Sequence, residues 1–274
     1  GGRAVLTGSS PGTDIPWYER GGTAFGRLFD THCRHEGEEV AAVAAETPLQ
    51  ATDAIREIEV EYEVLPFVID EEAALEPDAP QLHEGGNAVG EPSVRERGDI
   101  TTGFAEADVV VERTYRTLCE IHAPMEPHGS VAKWDGSRLT IWDSTQGVYS
   151  VQATVASALG LPMANVRVMG HYMGGGFGSK LWPGKYTVLC SLLAKKTARP
   201  VKLLLTREET FLCVGNRPEA RMTLKAGVKK DGTITAVSGE WFINSGAYSD
   251  MPQAQIAVGC GEAQLVLRCP NWDL

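Results

Sequence analysis

With 274 residues and 43% hydrophobic content, the chain can bury a substantial core in one large domain or two modest ones. Lys and Arg total 25 against 36 Asp and Glu, a net charge of -11 that opposes non-specific binding to nucleic acid or to an anionic membrane surface. No apolar run approaches the roughly 20 residues of a membrane span and the N-terminus lacks the regions of a signal peptide, so a soluble protein is expected.

The six cysteines, Cys33, Cys119, Cys190, Cys213, Cys260 and Cys269, form no CxxC and no close cluster. They read as buried reduced thiols, which points to a cytoplasmic setting and to no iron–sulfur cluster in this chain. The start at Gly1-Gly2-Arg3 without methionine, and the stop at Leu274 shortly after an apolar run, suggest a fragment or a processed subunit.

Val40–Ala44 reads as a buried strand, and Thr47-Pro48-Leu49-Gln50 makes a capping box with proline at the first position of a helix through Ala51, Ala54 and Ile55. Ile58, Val60, Tyr62 and Val64 then alternate with Glu59, Glu61 and Glu63, the pattern of a half-exposed strand that Pro66 ends. Glu76–Asp99 carries prolines, glycines and charges without an apolar period and reads as a linker. Val109–Arg116 resumes a strand pattern, and Val131–Trp142 reads as a hairpin turning at Asp135-Gly136. From Gly147, Val148, Val151, Val155 and Leu159 recur at helical intervals, with Ser144 or Thr145 as cap and Gly160 and Pro162 as stop. A short strand over Asn165–Met169, a glycine-rich loop, a helix over Lys185–Thr197 and a strand over Val201–Thr206 follow. A last hairpin joins Met222–Val228 to Ile234–Ile243 near Lys230-Asp231-Gly232.

The chemistry concentrates at Gly174-Gly175-Gly176-Phe177-Gly178-Ser179-Lys180, between a strand and a helix. Dense glycine removes side chains where backbone must approach something closely, and N–H groups at such a turn can hold the oxygens of an anionic or oxo-bearing ligand. The loop is not a Walker phosphate loop, because Ser179 precedes the lysine and Leu181 follows it. Nor is it a dinucleotide fingerprint, because the place of the third glycine is Ser179. A cofactor cradle is the functional reading; a tight glycine turn without a ligand is the structural one.

Other residues are weaker signals. Gln146, at a helix entrance, could donate to a cofactor oxygen or merely cap the helix. The segment Glu120–His128 gathers two histidines and two carboxylates, but its spacing fits no standard metal motif, so structural hydrogen bonding by His122 and Glu126 behind the site is the preferred reading. Lys180 and Arg217 are candidate anion binders, with solvated surface charge as the alternative.

The ordered set of motifs resembles the molybdenum hydroxylases of the xanthine dehydrogenase and aldehyde oxidase family, specifically part of their molybdopterin-binding large subunit. The residues that carry the resemblance are AAVAAET and IEVEYEVLPFVID within Val40–Asp70, HAPMEP at His122–Pro127, Thr145-Gln146 and MGGGFGSK at Met173–Lys180. RPVKLLLTREETF at Arg199–Phe211 and GVKKDGT at Gly227–Thr233 complete them. The resemblance implies a mixed α/β and α+β chain: a partial α/β hammerhead domain over residues 1–77, a linker over 78–99 and the first part of a molybdopterin-binding domain over 100–274. It implies that Gln146 hydrogen-bonds a molybdenum oxo ligand and that Gly175, Gly176, Phe177 and Gly178 lie against the cofactor, molybdopterin with molybdenum, in some members as the cytosine dinucleotide.

The implied reaction is hydroxylation of an aldehyde or N-heteroaromatic carbon with water as oxygen source, electrons leaving to iron–sulfur clusters and flavin on other domains or subunits of a hetero-oligomer. The catalytic glutamate is expected beyond Leu274, in a second molybdopterin domain. Leu181 stands where purine-oxidising relatives carry a glutamate, which disfavours a purine and, with Arg217, lines the expected substrate pocket. Two other classes compete: a non-catalytic subunit that keeps the cradle, and a protein holding a phosphate-bearing ligand with the glycine turn.

Overall fold

A computed structural model describes residues 4–20, 23–248 and 268–274. The N-terminal strands are β1 (Ala4–Thr7), β2 (Pro16–Arg20), β3 (Thr23–Arg27) and β4 (Ala41–Ala44), followed by α1 (Pro48–Arg56), β5 (Glu96–Arg97), α2 (Ile100–Ala105) and β6 (Val109–Thr117). Next come β7 (Gly129–Asp135), β8 (Arg138–Asp143), α3 (Val148–Ala158), β9 (Val166–Met169), α4 (Lys185–Thr197), β10 (Val201–Leu204) and α5 (Arg207–Cys213). The C-terminal strands are β11 (Glu219–Val228), β12 (Ile234–Asn244) and β13 (Asn271–Asp273). The expected mixture of helix and sheet is present.

Contacts divide the chain into two compact units, each built from two stretches: Gly1–Val64 with Ile121–Arg217, and Leu65–Glu120 with Pro218–Leu274. In the first, a four-stranded sheet runs β10-β7-β8-β9. The β7–β8 hairpin turns at Gly136, whose φ of 58° is the left-handed conformation a tight turn requires. β9 lies parallel to β8, and α3 makes the crossover. Its core joins Ala132, Leu139 and Ile141 of the sheet to Val151 and Val155 of α3 and to Val188, Leu189 and Leu193 of α4. A spacing of four residues places Val151 with Val155, and Leu189 with Leu193, on one helix face. The smaller pairs β1–β4 and β2–β3 belong to the same unit.

The second unit carries a five-stranded sheet in the order β5-β13-β12-β11-β6, antiparallel except for β12–β13. Its small core is Val237, Cys269, Trp272 and Leu274. Asp99 caps α2 by accepting from the N–H groups of Thr101 and Thr102.

Four expectations change. Ile58–Leu65 is not a strand: among the described residues no strand pairs with it, and Val60, Tyr62 and Val64 are exposed. Alternation specifies which face of a strand is apolar, but a strand forms only where a neighbour accepts its backbone hydrogen bonds. The stretch read as linker contains β5, and its last residue, Asp99, caps a helix the apolar pattern did not announce. Neither Ser144 nor Thr145 caps α3: the cap is Gly147, whose N–H donates to Thr145 Oγ1 at 2.9 Å, while Ser144 is buried. Thr47 caps α1 by accepting from Gln50 N–H at 3.3 Å, the first half of the expected box.

Candidate functional site

The glycine-rich loop follows β9 and precedes α4, and its backbone explains its composition. Gly175 and Gly178 have φ of 95° and 98°, and Phe177 is left-handed at 52°. Only glycine enters that region without cost, so Phe177 is held there by its surroundings. Gly174 and Gly176 are glycine for another reason. A Cβ on Gly174 would lie 2.5 Å from Glu126 Cβ, and one on Gly176 would overlap the carboxamide of Gln146. These two make room for the protein's own side chains. Gly178 is open by contrast, since a Cβ there would meet only His122 Nε2 at 3.9 Å.

Gln146 faces the loop with its oxygen. Oε1 accepts from Gly178 N–H at 2.9 Å and from Lys180 N–H at 3.4 Å, and the Gln146 backbone N–H donates to Lys180 O at 2.8 Å. Two N–H donors on one terminal atom identify that atom as the oxygen, so the amide's nitrogen and both of its protons point away from the loop. Gln146 is exposed, and among the described residues nothing in the chain accepts from that nitrogen. The N–H groups of Gly175, Gly176 and Phe177 are likewise unpaired within the described chain, and the Phe177 ring is 73% exposed.

Lys180, a candidate anion binder in the sequence, is not a solvated surface charge. It is 1% exposed, and its ammonium donates to Glu126 O at 2.9 Å, Glu126 Oε2 at 3.2 Å and Ser144 Oγ at 2.8 Å. Ser144 Oγ donates in turn to Glu126 Oε2 at 2.6 Å, and Gly174 N–H donates to the same oxygen at 2.6 Å. Burial raises and these hydrogen bonds lower the Glu126 carboxyl, which ends below its ordinary pKa.

His128, fully buried, makes a further contact with the loop. Ser179 Oγ donates to Gly176 O at 2.8 Å, so the 3.0 Å contact between His128 Nε2 and Ser179 Oγ has the imidazole N–H as donor. Burial first, and the Lys180 ammonium second, push the His128 pKa down to about 4. His122 is lowered by burial as well. Both rings are neutral at pH 7, each with a buried Nδ1 that finds no partner among the described residues. Below the loop, Asp143 accepts from Ser130 Oγ and Thr187 Oγ1, and burial raises its carboxyl.

Arg207 was missed in the sequence. Its Nη2 donates to Pro124 O at 2.6 Å and Met125 O at 3.1 Å, which ties the segment carrying His122 and Glu126 to α5. The signal was present: Thr206-Arg207-Glu208-Glu209 is a capping box, with Thr206 Oγ1 accepting from Glu209 N–H at 3.1 Å and Glu209 Oε2 accepting from Thr206 N–H at 2.7 Å.

Gln146, Gly175, Gly176, Phe177 and Gly178 are therefore brought together, with Leu181 exposed directly behind Lys180. Arg217 is exposed at the end of the first unit. Among the described residues no group of three His, Cys, Asp or Glu side chains could hold a metal ion. Within Glu120–His128 it is Glu126 and His128 whose side chains make the hydrogen bonds to the loop. Cys190 and Cys269 are buried and free, whereas Cys119 is exposed, and Cys260 lies outside the described residues.

Residues 82–274 match the family described as the molybdopterin cofactor-binding domain. The nicotinate dehydrogenase large molybdopterin subunit of Eubacterium barkeri is 37% identical over 230 residues, 84% of this chain and 54% of its own length. The probable hypoxanthine oxidase XdhD of Escherichia coli is 34% identical over 286 residues, 90% of this chain and 30% of its own. Among solved structures, quinoline 2-oxidoreductase from Pseudomonas putida 86 covers 100% of this chain and 36% of its own, with a TM-score of 0.87 and 29% identity. The aldehyde oxidoreductase of Desulfovibrio gigas covers 100% and 31%, with a TM-score of 0.84 and 26% identity. The chain thus spans between 30% and 54% of the length of these relatives. The matched segment holds Glu126, Gln146 and the whole glycine-rich loop, and the fold is shared along the full chain: the protein belongs to the molybdopterin cofactor-binding domain family of the molybdenum hydroxylases.

Proposed function

We propose that this chain supplies one wall of the active site of a molybdenum hydroxylase that oxidises an aldehyde or N-heteroaromatic carbon, with water as oxygen source. The observation that carries the reading is the orientation of Gln146: the loop's N–H groups fix its oxygen, and its two amide protons remain for an oxygen of a bound group. The residues fit molybdopterin with molybdenum. The open side of Gly178, the exposed Phe177 ring and the uncommitted N–H groups of Gly175, Gly176 and Phe177 lie on the same short loop. When bound, the cofactor supplies the two-electron redox chemistry. This chain's part is to hold and orient it: Gln146 donates, Gly175, Gly176 and Gly178 admit close approach, and Phe177 covers it with its ring.

Leu181 offers the substrate an apolar surface beside the loop, and Arg217 a charge that would orient an anionic or carbonyl-bearing substrate. Relatives named for nicotinate, quinoline and aldehyde support the substrate class. The proton-accepting glutamate, the second molybdopterin domain, the iron–sulfur clusters and the flavin belong to parts outside this chain, in a cytoplasmic hetero-oligomer. The proposed division is the end of the hammerhead domain over residues 1–77, a linker over 78–99 that includes β5, and the first part of the molybdopterin domain over 100–274; the family match over residues 82–274 supports the last of these.

Gln146→Ala in the natively assembled enzyme tests the reading. Molybdenum content stays close to wild type, because the loop and its glycines remain, while kcat falls by roughly 10²-fold with the loss of one oriented donor. An unchanged kcat with full molybdenum content would remove Gln146 from the site.

A further inference from the structure

We infer that Glu126, Lys180 and Ser144 form a positioning clamp that closes the glycine-rich loop on itself and thereby sets the direction of the Gln146 carboxamide. The inference rests on the reading of the loop as the cofactor-facing wall, but its geometry stands apart from that reading.

Both ends of the loop converge on Glu126. At the start, Gly174 N–H donates to Glu126 Oε2 at 2.6 Å, and Gly174 O accepts from Glu126 N–H at 3.2 Å. At the end, the Lys180 ammonium reaches Glu126 O and Oε2. Ser144 closes the triangle, accepting from Lys180 and donating to Glu126 Oε2. The three ammonium protons thus have three acceptors, so a lysine that is 1% exposed leaves no donor of its head group unpaired. An ammonium in so small a space also fixes the distance between the ends of the loop.

Between those ends the backbone is in a conformation that it would not keep unaided. Phe177, a residue with a Cβ, is left-handed between glycines at φ 95° and 98°. Lys180 is the junction between this clamp and Gln146. Its side chain is tied to Glu126 and Ser144, its N–H donates to Gln146 Oε1, and its carbonyl accepts from Gln146 N–H and from Thr145 Oγ1 at 3.0 Å. A shift of Lys180 therefore moves both the donor that holds the Gln146 oxygen and the backbone from which Gln146 projects. Glu126 and Lys180 touch no atom on the open side of Gly178, so they act through Gln146 and the loop rather than on a bound group.

The test is hydrogen exchange by mass spectrometry, together with steady-state kinetics, on the natively assembled enzyme carrying Glu126→Gln, Lys180→Met or Ser144→Ala. Glu126→Gln keeps the shape and removes the charge. Amide exchange in the peptide spanning residues 173–182 accelerates by about tenfold or more, while the peptides of α4 from Leu189 to Ala194 keep their wild-type rates. KM is retained and kcat falls, the split of a displaced orienting group rather than of lost substrate binding. Glu126→Gln combined with Lys180→Met is no faster in exchange than the faster single variant, because both act in one network. If Lys180→Met unfolds the chain, Glu126→Gln and Ser144→Ala decide the matter alone. Loop exchange at the wild-type rate in Glu126→Gln overturns the clamp, as does accelerated exchange with an unaltered kcat. Neither result touches the Gln146→Ala test of the site itself.

Discussion

At the scale of single residues, the site is built by converging several donors on a few acceptors, Glu126 Oε2 and Gln146 Oε1 above all, and leaving a few polar atoms without a partner. Gln146 illustrates the limit of the sequence: a glutamine at a helix entrance is unremarkable until two backbone N–H groups are found on its oxygen. The glycines separate in the same way, Gly174 and Gly176 clearing space for Glu126 and Gln146, Gly175 and Gly178 adopting left-handed backbone. His128 carries a pH dependence. Its imidazole is held neutral in the fold with a pKa of about 4, against 6.5 for an ordinary histidine. The unfolded chain therefore binds a proton more readily between those values. Stability from this residue is complete above pH 6.5 and is lost as pH falls toward 4, by at most about 3 kcal/mol. Urea denaturation at pH 7.5 and 5.0 should show that loss in the wild type and a smaller one in His128→Gln, whose amide can still donate to Ser179. An equal loss in both would place the pH dependence on other groups.

At the scale of elements, periodicity was informative wherever the apolar face of a helix or strand meets a core formed nearby in the chain. The β7–β8 hairpin, α3 and α4 follow from their own spacing and turn residues, and the packing of α4 on β7 completes them. Ile58–Leu65 has as clear a pattern as any of these and forms no strand, because a ladder depends on a partner that local sequence does not specify. The seven-residue α5 depends on its cap, since so short a helix is marginal alone. Thr206→Ala removes the acceptor for Glu209 N–H and should cost about 1 kcal/mol. Because Arg207 leaves the first turn of α5 for Pro124 O and Met125 O, the same change should accelerate amide exchange in residues 121–127. Exchange there at the wild-type rate, with the stability loss present, would separate the cap from the site.

At the scale of the whole molecule, no helix among the described residues is long and apolar enough to cross a membrane. The chain covers 30% and 54% of the two curated relatives described above, and the proposed hydroxylase needs groups that this chain does not carry. Isolation under native conditions should therefore yield molybdenum and pterin together with an iron–sulfur domain or subunit, measured by metal analysis and by mass spectrometry of the assembly. A preparation active without molybdenum would refute the assignment.

What the sequence by itself determined is the family and where to look for the candidate site, because glycine spacing, turn residues and an ordered series of motifs are local properties that survive without coordinates. Spacing alone also set the loop apart from the Walker and dinucleotide patterns. Only the tertiary structure decided what each residue does there. Lys180 moved from candidate anion binder to buried clamp, Ser144 from candidate helix cap to its partner, and Arg207 from an unnoticed charge to the anchor of the Glu126 segment. Those roles depend on distances between groups up to 83 residues apart, such as Arg207 and Pro124, and on burial that turns a charge from harmless to costly unless it is paired. No local pattern in the chain encodes either.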